Sequence, residues 1–212
     1  MSALDWDHNA YYQRLLLRYL PRPCSQVLDV GCGAGAFAAE LATRSEHVDA
    51  LDRSPAMIDL ARLVTPSNVT CLLADVLLEP LPDAHYDAIV SNTALHHMQL
   101  GQVLPRLARA LRPGGVLAVV ALPRIDMPRE LPAEVCAAIG QRVLGAGFAV
   151  LRASRGGGCY GVEPSHAIMP VVGGSLTTRQ VRQQAAALLP GAQVRRLVFW
   201  RYLLLWRKPA DS

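Results

Sequence analysis

The chain has 212 residues, 51% of them hydrophobic and 18% charged, a balance typical of one compact domain that buries a full core. No apolar stretch approaches the roughly 18 to 20 residues of a spanning helix, since even the apolar C-terminus is broken by Arg201. The acidic, polar N-terminus is unlike a signal peptide, and the five scattered cysteines contain no C-x-x-C pair. We therefore expect a cytoplasmic protein with no disulfide framework and no metal site.

Charge is distributed unevenly along the chain. Residues 1–134 hold 11 Arg against 15 Asp and Glu, whereas residues 135–212 hold 10 Arg and Lys against two acidic residues. A basic C-terminal third would suit an anionic partner such as RNA. However, no more than two basic residues are adjacent and no stacking aromatics are interleaved with them, so the pattern favours solvated arginines.

Short apolar strands alternate with helical stretches over the first 122 residues. Ser54 as a helix cap and Pro55 in the first turn indicate where one helix begins. In chain order the sequence predicts strand 27–30, helix 36–44, strand 47–51, helix 55–64, strands 69–73 and 86–91, helix 100–111 and strand 116–122. This alternation predicts a mainly parallel sheet with helices on both faces.

The pattern changes after Leu122. A long helix is predicted over 133–151, followed by a glycine-rich segment without periodicity that extends to Gly174. A helix over 177–189 and strands over 193–199 and 202–206 complete the chain. The two final strands predict an antiparallel end to the parallel sheet.

The segment with most chemical information is the glycine turn at 27–35, VLDVGCGAG. A strand that leads through glycines into a helix lets a ligand lie against bare backbone and points amide groups at an anion. The dinucleotide pattern G-x-G-x-x-G is absent, and Asp29 lies two residues before Gly31. An acid at that position suits a ligand with an ammonium group and would repel a pyrophosphate.

Two further acids end the next two predicted strands. Asp52 comes 21 residues after Gly31, where a carboxylate can accept hydrogen bonds from both ribose hydroxyls. Asp75 ends the third strand on the same edge, within reach of an adenine amino group, although a role in the turn is the alternative. Three carboxylates with no lysine to hold phosphate describe a positively charged nucleoside, and S-adenosylmethionine fits that description.

Five segments, in order and at the usual spacing, resemble the class I S-adenosylmethionine-dependent methyltransferases. They are VLDVGCGAG at 27–35, ALDRSPAMIDLAR at 50–62, AD at 74–75, HYDAIVSNTALHHM at 85–98 and LRPGGVLAVV at 111–120. The resemblance implies an α/β, Rossmann-like fold: a doubly wound, mostly parallel seven-stranded sheet with an antiparallel last strand. It also implies one domain, with a cap helix region at 1–24, a cofactor-binding core at 25–122, a helix and lid insertion at 123–176, and a last helix and two strands at 177–212.

The resemblance assigns expected roles to individual cofactor-binding residues. Asp29 and the backbone of Gly31, Cys32 and Gly33 would hold the methionine end, and Asp52 the ribose. Around the rest of the cofactor it implies Asp75 and Val76 at the adenine, Arg53 and Met57 flanking it, and Ser91 and Asn92 beneath the sulfonium.

The sequence indicates less clearly which residues would bind the methyl acceptor. His96 and His97 are candidates for a catalytic base, and because adjacent helical residues point about 100° apart we expect one of them to face the cleft. A surface or packing role is the alternative for each. Further candidates for the acceptor pocket are Trp6, His8, Tyr11 and Tyr12 in the N-terminal stretch, with core packing as the alternative, and Tyr160 and His166 in the glycine-rich segment.

These observations predict an enzyme that methylates an O or C atom of a small-molecule metabolite or natural product. No N/D-P-P-Y/F motif follows the fourth strand, which makes amino-group methylation the lesser expectation. We expect a monomer or homodimer with no membrane partner and no nucleic-acid partner. An RNA-directed methyltransferase and a non-catalytic cofactor-binding partner protein are the alternatives.

Overall fold

The computed structural model describes residues 7–126, 140, 142–144 and 173–210. Its helices are α1 (His8–Leu16), α2 (Ala36–Leu41), α3 (Pro55–Val64), α4 (Leu100–Ala110) and α5 (Thr178–Leu188), with 3-10 turns at Leu17–Tyr19 and Leu95–His97. Its strands are β1 (Gln26–Val30), β2 (His47–Asp52), β3 (Val69–Leu73), β4 (Tyr86–Asn92), β5 (Leu111–Ala121), β6 (Gln193–Leu197) and β7 (Arg201–Arg207).

The seven strands form one sheet in the order β3-β2-β1-β4-β5-β7-β6. The pairs β1·β2, β1·β4, β2·β3 and β4·β5 are parallel, whereas β7 is antiparallel to both β5 and β6. This confirms the predicted sheet and its antiparallel last strand. The strand order reverses direction at β1, so the carboxyl ends of β1 and β4 border the crevice where doubly wound sheets bind ligands.

Two apolar layers hold helices against the two faces of this sheet. Residues such as Leu104 of α4 and Val181 of α5 pack on one face, and residues such as Leu16 of α1, Phe37 of α2 and Ile58 of α3 pack on the other. Each helix therefore buries one apolar stripe against the sheet, as the sequence alternation predicts.

Helix boundaries follow from local capping chemistry. The Ser54 hydroxyl accepts a hydrogen bond from the Met57 amide, so α3 begins where the sequence indicates. Thr177 and Gln180 form a reciprocal capping box at the start of α5. Both caps are readable from sequence because they depend on residues within three positions of each other.

Three element boundaries differ from the predictions by more than one residue. Strand β5 begins at Leu111, which pairs with Tyr86 before a register shift, rather than at Val116. Strand β6 ends at Leu197, because Phe199 and Trp200 adopt left-handed conformations with φ of 57° and 58°. Helix α2 ends at Leu41.

The predicted helix over 133–151 lies outside the described residues, apart from Gly140 and residues 142–144, which are helical. Most of the predicted segment from 155 to 174 also lies outside them. Among the helices in the described ranges, none combines the length and apolarity needed to cross a bilayer.

Candidate active site

The glycine turn after β1 packs tightly against its neighbours. The amides of Gly31 and Cys32 both donate to the Leu51 carbonyl of β2, at 2.8 and 3.0 Å. Gly31 has φ of 76°, and a Cβ on it would collide with the Cβ of Ala94 in the loop after β4. Glycine is therefore required at position 31 for both conformation and space.

Asp29 is a buried carboxylate with no hydrogen-bond partner on either oxygen. It is 1% exposed and lines a cavity of about 560 Å³ at the carboxyl ends of β1, β2 and β4. Burial, and secondly the nearby Asp52 carboxylate, raise the pKa of Asp29 to about 8. A buried acid without a partner beside a cavity is suited to a cationic ligand group.

Asp52 lies at the end of β2 on the same cavity. Its Oδ2 accepts from the Gly33 amide at 3.0 Å and its Oδ1 from the Ser54 amide at 2.9 Å. Each oxygen of an ionised carboxylate has a second lone pair, so both can still accept from a ligand hydroxyl. The two amides thus hold the Asp52 carboxylate in a fixed orientation for a ribose diol.

Asp75 combines the two roles that its sequence position allows. Its Oδ1 accepts from the Leu77 amide at 2.9 Å, which makes it a turn residue, and the residue also lines the cavity. The neighbouring Val76 is buried and lines the same wall, as do Arg53 and Met57 on the side of α3.

The structure brings together ten of the eleven residues expected to bind the cofactor. They are Asp29, Gly31, Cys32, Gly33, Asp52, Arg53, Met57, Asp75, Val76 and Asn92.

Ser91 is the eleventh residue, and its position corrects the expectation that it lines the cofactor site. It is fully buried, its hydroxyl donates to the Val30 carbonyl at 2.8 Å, and it ties β4 to β1. Alternate strand residues point to opposite faces, so Asn92 and Ser91 cannot share one wall.

Of the two adjacent histidines, His97 lines the cavity. His96 lines only a neighbouring cavity of about 480 Å³, which His97 also borders, and the centroids of the two rings are 4.0 Å apart. Burial, and secondly the Arg53 guanidinium, lower the pKa of His97 below its usual 6.5. The lowered pKa favours the neutral imidazole, which is the form that can accept a proton.

The N-terminal aromatic residues lie elsewhere than expected. His8 stacks on Phe199 with centroids 5.3 Å apart, Tyr11 meets the edge of the same ring, and Tyr12 donates its hydroxyl to the Val198 carbonyl. These three residues clamp α1 to the β6–β7 turn rather than line the cavity, because they lie on the helix face turned toward the core. Trp6, Tyr160 and His166 lie outside the described residues.

The opposite face of α1 provides the cavity wall that the sequence analysis missed. Asn9 and Gln13 line the cavity, as does Thr93 after β4. Asn9 and Gln13 are four residues apart and so share one helix face. This polar i, i+4 pair borders the face that buries Tyr12 and Leu16, and it is the sequence signal for this wall.

Fold and site together define a class of protein. A cavity at the switch point of a doubly wound sheet, with one unpartnered buried carboxylate and one suited to a ribose, is a site for a cationic nucleoside. S-adenosylmethionine carries an ammonium group, a ribose and an adenine, and the residues present fit all three.

Comparison with known proteins gives the family. Residues 28–119 match the model of a methyltransferase domain. An uncharacterized methyltransferase of Mycobacterium tuberculosis is 34% identical over 209 residues, covering 96% of this chain and 98% of that protein. A malonyl-[acyl-carrier protein] O-methyltransferase of Serratia marcescens is 39% identical over 106 residues, covering 50% of this chain and 41% of that protein.

A solved structure agrees with the fold. The N-methyltransferase NodS of Bradyrhizobium japonicum, in complex with S-adenosylhomocysteine, is 19% identical and has a TM-score of 0.60, covering 97% of this chain and 90% of that chain. The chain belongs to the class I S-adenosylmethionine-dependent methyltransferases. It is an enzyme that uses S-adenosylmethionine as its cofactor.

Proposed function

We propose that the chain transfers a methyl group to an O or C atom of a small-molecule metabolite or natural product. The observation that carries this proposal is the position of His97 on the cavity wall, with a pKa lowered by burial and by Arg53. Phenols and activated carbons lose a proton during methylation, and a neutral imidazole can accept it. General-base help of this kind contributes roughly 10²- to 10⁴-fold in rate.

S-adenosylmethionine supplies the electrophilic methyl group when bound. Asp29, Gly31, Asp52 and Asp75 would hold it in one orientation against the wall formed by α1. Alignment of two reactants in a fixed geometry is worth up to about 7 to 11 kcal/mol of the barrier. Most of the acceleration therefore comes from positioning, and His97 adds proton removal.

Three cations of the basic C-terminal third have hydrogen-bond partners within the fold. Arg182 donates to the Val194 carbonyl at 3.1 Å, Arg195 to the Tyr19 hydroxyl at 3.0 Å and Lys208 to the Leu111 carbonyl at 2.9 Å. Each of these groups has a hydrogen-bond partner within the fold, but Arg182 and Arg195 are exposed, so the basic residues by themselves do not favour either acceptor. The O-methyltransferase name of the Serratia relative also supports an oxygen acceptor. A cytoplasmic location stays a prediction.

A methyl-transfer assay on an acceptor panel tests the proposal. We expect label from methyl-tritiated S-adenosylmethionine to pass to phenols, carboxylic acids or activated carbons and not to total RNA. Transfer to RNA alone would favour the RNA-directed alternative. Tight binding of S-adenosylhomocysteine without transfer to any acceptor would favour the non-catalytic partner protein.

Paired variants separate the two histidines. We expect His97→Phe to lower kcat by about 10²-fold or more while S-adenosylhomocysteine affinity stays within about threefold. His96→Phe is the matched control, because it changes the adjacent ring outside the cavity. Equal kcat values for both variants and the wild type would show that alignment alone suffices and that His97 is not the base.

A further inference from the structure

Strand β3 forms one edge of the sheet, and no strand of the described ranges lies along its outer side. On its inner side, the Asp52 carbonyl of β2 accepts from the Ala74 amide at 3.0 Å, and Asp52 is in register with Leu73. In a parallel ladder this offset means that alternate residues, Thr70 and Leu72, make the hydrogen bonds to β2. The backbone groups of the other three residues of β3 therefore point outward.

These outward residues are Val69, Cys71 and Leu73. The Val69 amide donates back to the Pro66 carbonyl at 3.0 Å. The amides of Cys71 and Leu73, and the carbonyls of all three residues, have no partner in the part of the chain that the structure describes. A row of open donors and acceptors along a strand is a template for pairing with another strand.

The two edges of the sheet differ in how they are protected against such pairing. Edge strand β6, with the sequence QVRRL, carries Arg195 and Arg196, and charged side chains discourage the addition of another strand. Edge strand β3, with the sequence VTCLL, has no charged residue, no proline and no glycine. Exposed apolar side chains concentrate around β3. Of the eight large ones among the described residues, four lie near this strand: Leu63, Val64, Leu73 and Leu78.

The apolar side chains around β3 are arranged so that the edge is complementary to itself. Helix α3 ends at Val64, shortly before β3 begins, so Leu63 and Val64 lie toward the amino end of the strand. Leu73 and Leu78 lie at its carboxyl end. An antiparallel pairing places the amino end of one strand beside the carboxyl end of the other. The two apolar groups, which are at opposite ends of the edge in one chain, therefore come together between two copies.

Charge at the two ends of the edge is complementary in the same sense. Arg62, in the last turn of α3, is 58% exposed and pairs at 3.3 Å with Asp59 of its own helix, which is 75% exposed. Glu79, beyond the carboxyl end of β3, is also exposed. An antiparallel arrangement of two copies brings Arg62 of each toward Glu79 of the other. A second copy of this chain is therefore the partner that matches both the apolar and the charged groups.

We propose that β3 pairs antiparallel with β3 of a second copy, about a two-fold axis at Cys71, so that one sheet continues through a homodimer. The two Cys71 residues exchange their backbone hydrogen bonds, and each Leu73 amide donates to the Val69 carbonyl of the other copy. The carboxyl ends of the two strands point in opposite directions. The two cofactor cavities therefore lie at opposite ends of the shared edge, and each is complete within one copy. This inference does not depend on the acceptor proposed above.

Analytical ultracentrifugation of the full chain and its variants tests the dimer. We expect a wild-type dimer with a dissociation constant on the order of 1 to 10 μM. Leu73→Lys places a cation in the apolar contact and should raise that constant at least about 30-fold, with S-adenosylhomocysteine affinity within about threefold. Val198→Lys is the matched control, because Val198 is 57% exposed against 52% for Leu73 but lies in the β6–β7 turn. It should dimerise as the wild type does.

Charge reversal tests the antiparallel direction with exposed residues that the fold does not need. Arg62→Glu should weaken the dimer about fivefold, and Glu79→Arg added to the same chain should restore it. Hydrogen exchange locates the interface. Amides of Cys71 and Leu73 should exchange more slowly at about 100 μM than at about 1 μM protein, whereas those of β6 should not change.

Three results would overturn the inference. They are a wild type that stays monomeric up to about 100 μM, a dimer that Leu73→Lys weakens no more than Val198→Lys does, and a dimer in which exchange at Cys71 and Leu73 is independent of concentration. If Leu73→Lys failed to bind S-adenosylhomocysteine, the charge-reversal variants would decide, and equal dimerisation of Arg62→Glu and the wild type would then reject the pairing. Loss of cofactor binding in the wild type would contradict the proposed function and leave this inference standing.

Discussion

The cavity has two parts that are built in different ways: a proposed cofactor half, formed by the glycine turn with Asp29, Asp52 and Asp75, and a proposed acceptor wall, formed by α1. In the cofactor half, the glycine turn and the three carboxylates come from residues 29–76, and each lies at the carboxyl end of a strand in the parallel part of the sheet. The acceptor wall is formed by α1, which is held by Arg201 and the β6–β7 turn about 190 residues away in sequence. One half depends on local chain geometry and the other on contacts between the two ends of the described chain.

The unsatisfied groups of the two halves also differ in kind. Both oxygens of the Asp29 carboxylate lack a hydrogen-bond partner, and so does the neutral amide oxygen of Asn92. A carboxylate suits a ligand that always carries an ammonium group.

The turn between β6 and β7, which packs against α1, contains backbone strain. Phe199 and Trp200 have φ of 57° and 58°, which bulky side chains rarely adopt. Contacts from His8 and Tyr12 of α1 hold this turn in place. Strain of this kind persists only where the surrounding structure over-determines it, so α1 and the turn stabilise each other.

The largest expected effect is in the cofactor half, at Gly31. Gly31→Ala adds a Cβ at φ of 76° that collides with Ala94, so we expect S-adenosylhomocysteine affinity to fall by about 100-fold or more in isothermal titration. Gly114→Ala is the matched control, with φ of 78° and nothing within 4 Å of the added Cβ. Equal losses of affinity in the two variants would contradict the close approach at Gly31.

The next effect is at Asp52. Asp52→Ala removes the carboxylate that Gly33 and Ser54 orient, and we expect a loss of about 2 to 3 kcal/mol in S-adenosylmethionine binding, or about 30- to 150-fold. Asp59→Ala, which removes an exposed carboxylate on α3, should leave affinity unchanged. A change of less than threefold in Asp52→Ala would mean that the ribose lies elsewhere.

The affinity for S-adenosylmethionine should depend on pH, because Asp29 in the cofactor half is ionisable. Because the pKa of Asp29 is about 8, its ionised fraction rises by up to about tenfold per pH unit below that value, and we expect S-adenosylmethionine affinity to rise in the same way between pH 6 and 8. Asp29→Asn should flatten this profile in titrations. A wild-type profile as flat as that of the variant would show that no proton leaves Asp29 on binding.

The same group makes stability depend on pH in the free protein. The folded-state pKa of Asp29 is above its unfolded value of 3.8, so the folded protein binds the extra proton between about pH 4 and pH 8. The free energy of unfolding should therefore fall as pH rises through that window, and it should fall less in Asp29→Asn. Thermal melts of both proteins across the window measure the difference.

The smallest expected effect is in the acceptor wall. Tyr12→Phe removes the hydrogen bond from α1 to the Val198 carbonyl, and we expect the free energy of unfolding to fall by about 1 kcal/mol in urea titrations. S-adenosylhomocysteine affinity should change by less than twofold, because Tyr12 does not line the cavity. A large loss of affinity would show that the clamp on α1 also supports the cofactor half.

The cofactor half was predictable because its signals are local. The glycine turn, which has positive φ values, and the acids at the ends of successive strands all lie within about 50 residues of sequence. Parallel pairing then brings those strand ends to one edge of the sheet. The placement of Ser91 on the cavity was wrong, because Ser91 and Asn92 are adjacent in β4 and their side chains point to opposite faces of the sheet. The placement of His8, Tyr11 and Tyr12 in the acceptor pocket was wrong because the turn they pack against lies near the other end of the chain.

The sequence by itself determined the order of strands and helices, the glycine turn and the acids Asp29, Asp52 and Asp75. Periodicity, capping and glycine conformation act between near neighbours, and they suffice for these features. Only the tertiary structure decided that His97 rather than His96 meets the cavity, that the pKa of Asp29 is raised, and that Asn92 Oδ1 has no partner. Desolvation and hydrogen-bond satisfaction depend on which distant segments surround a group, and that is established only when the chain is folded.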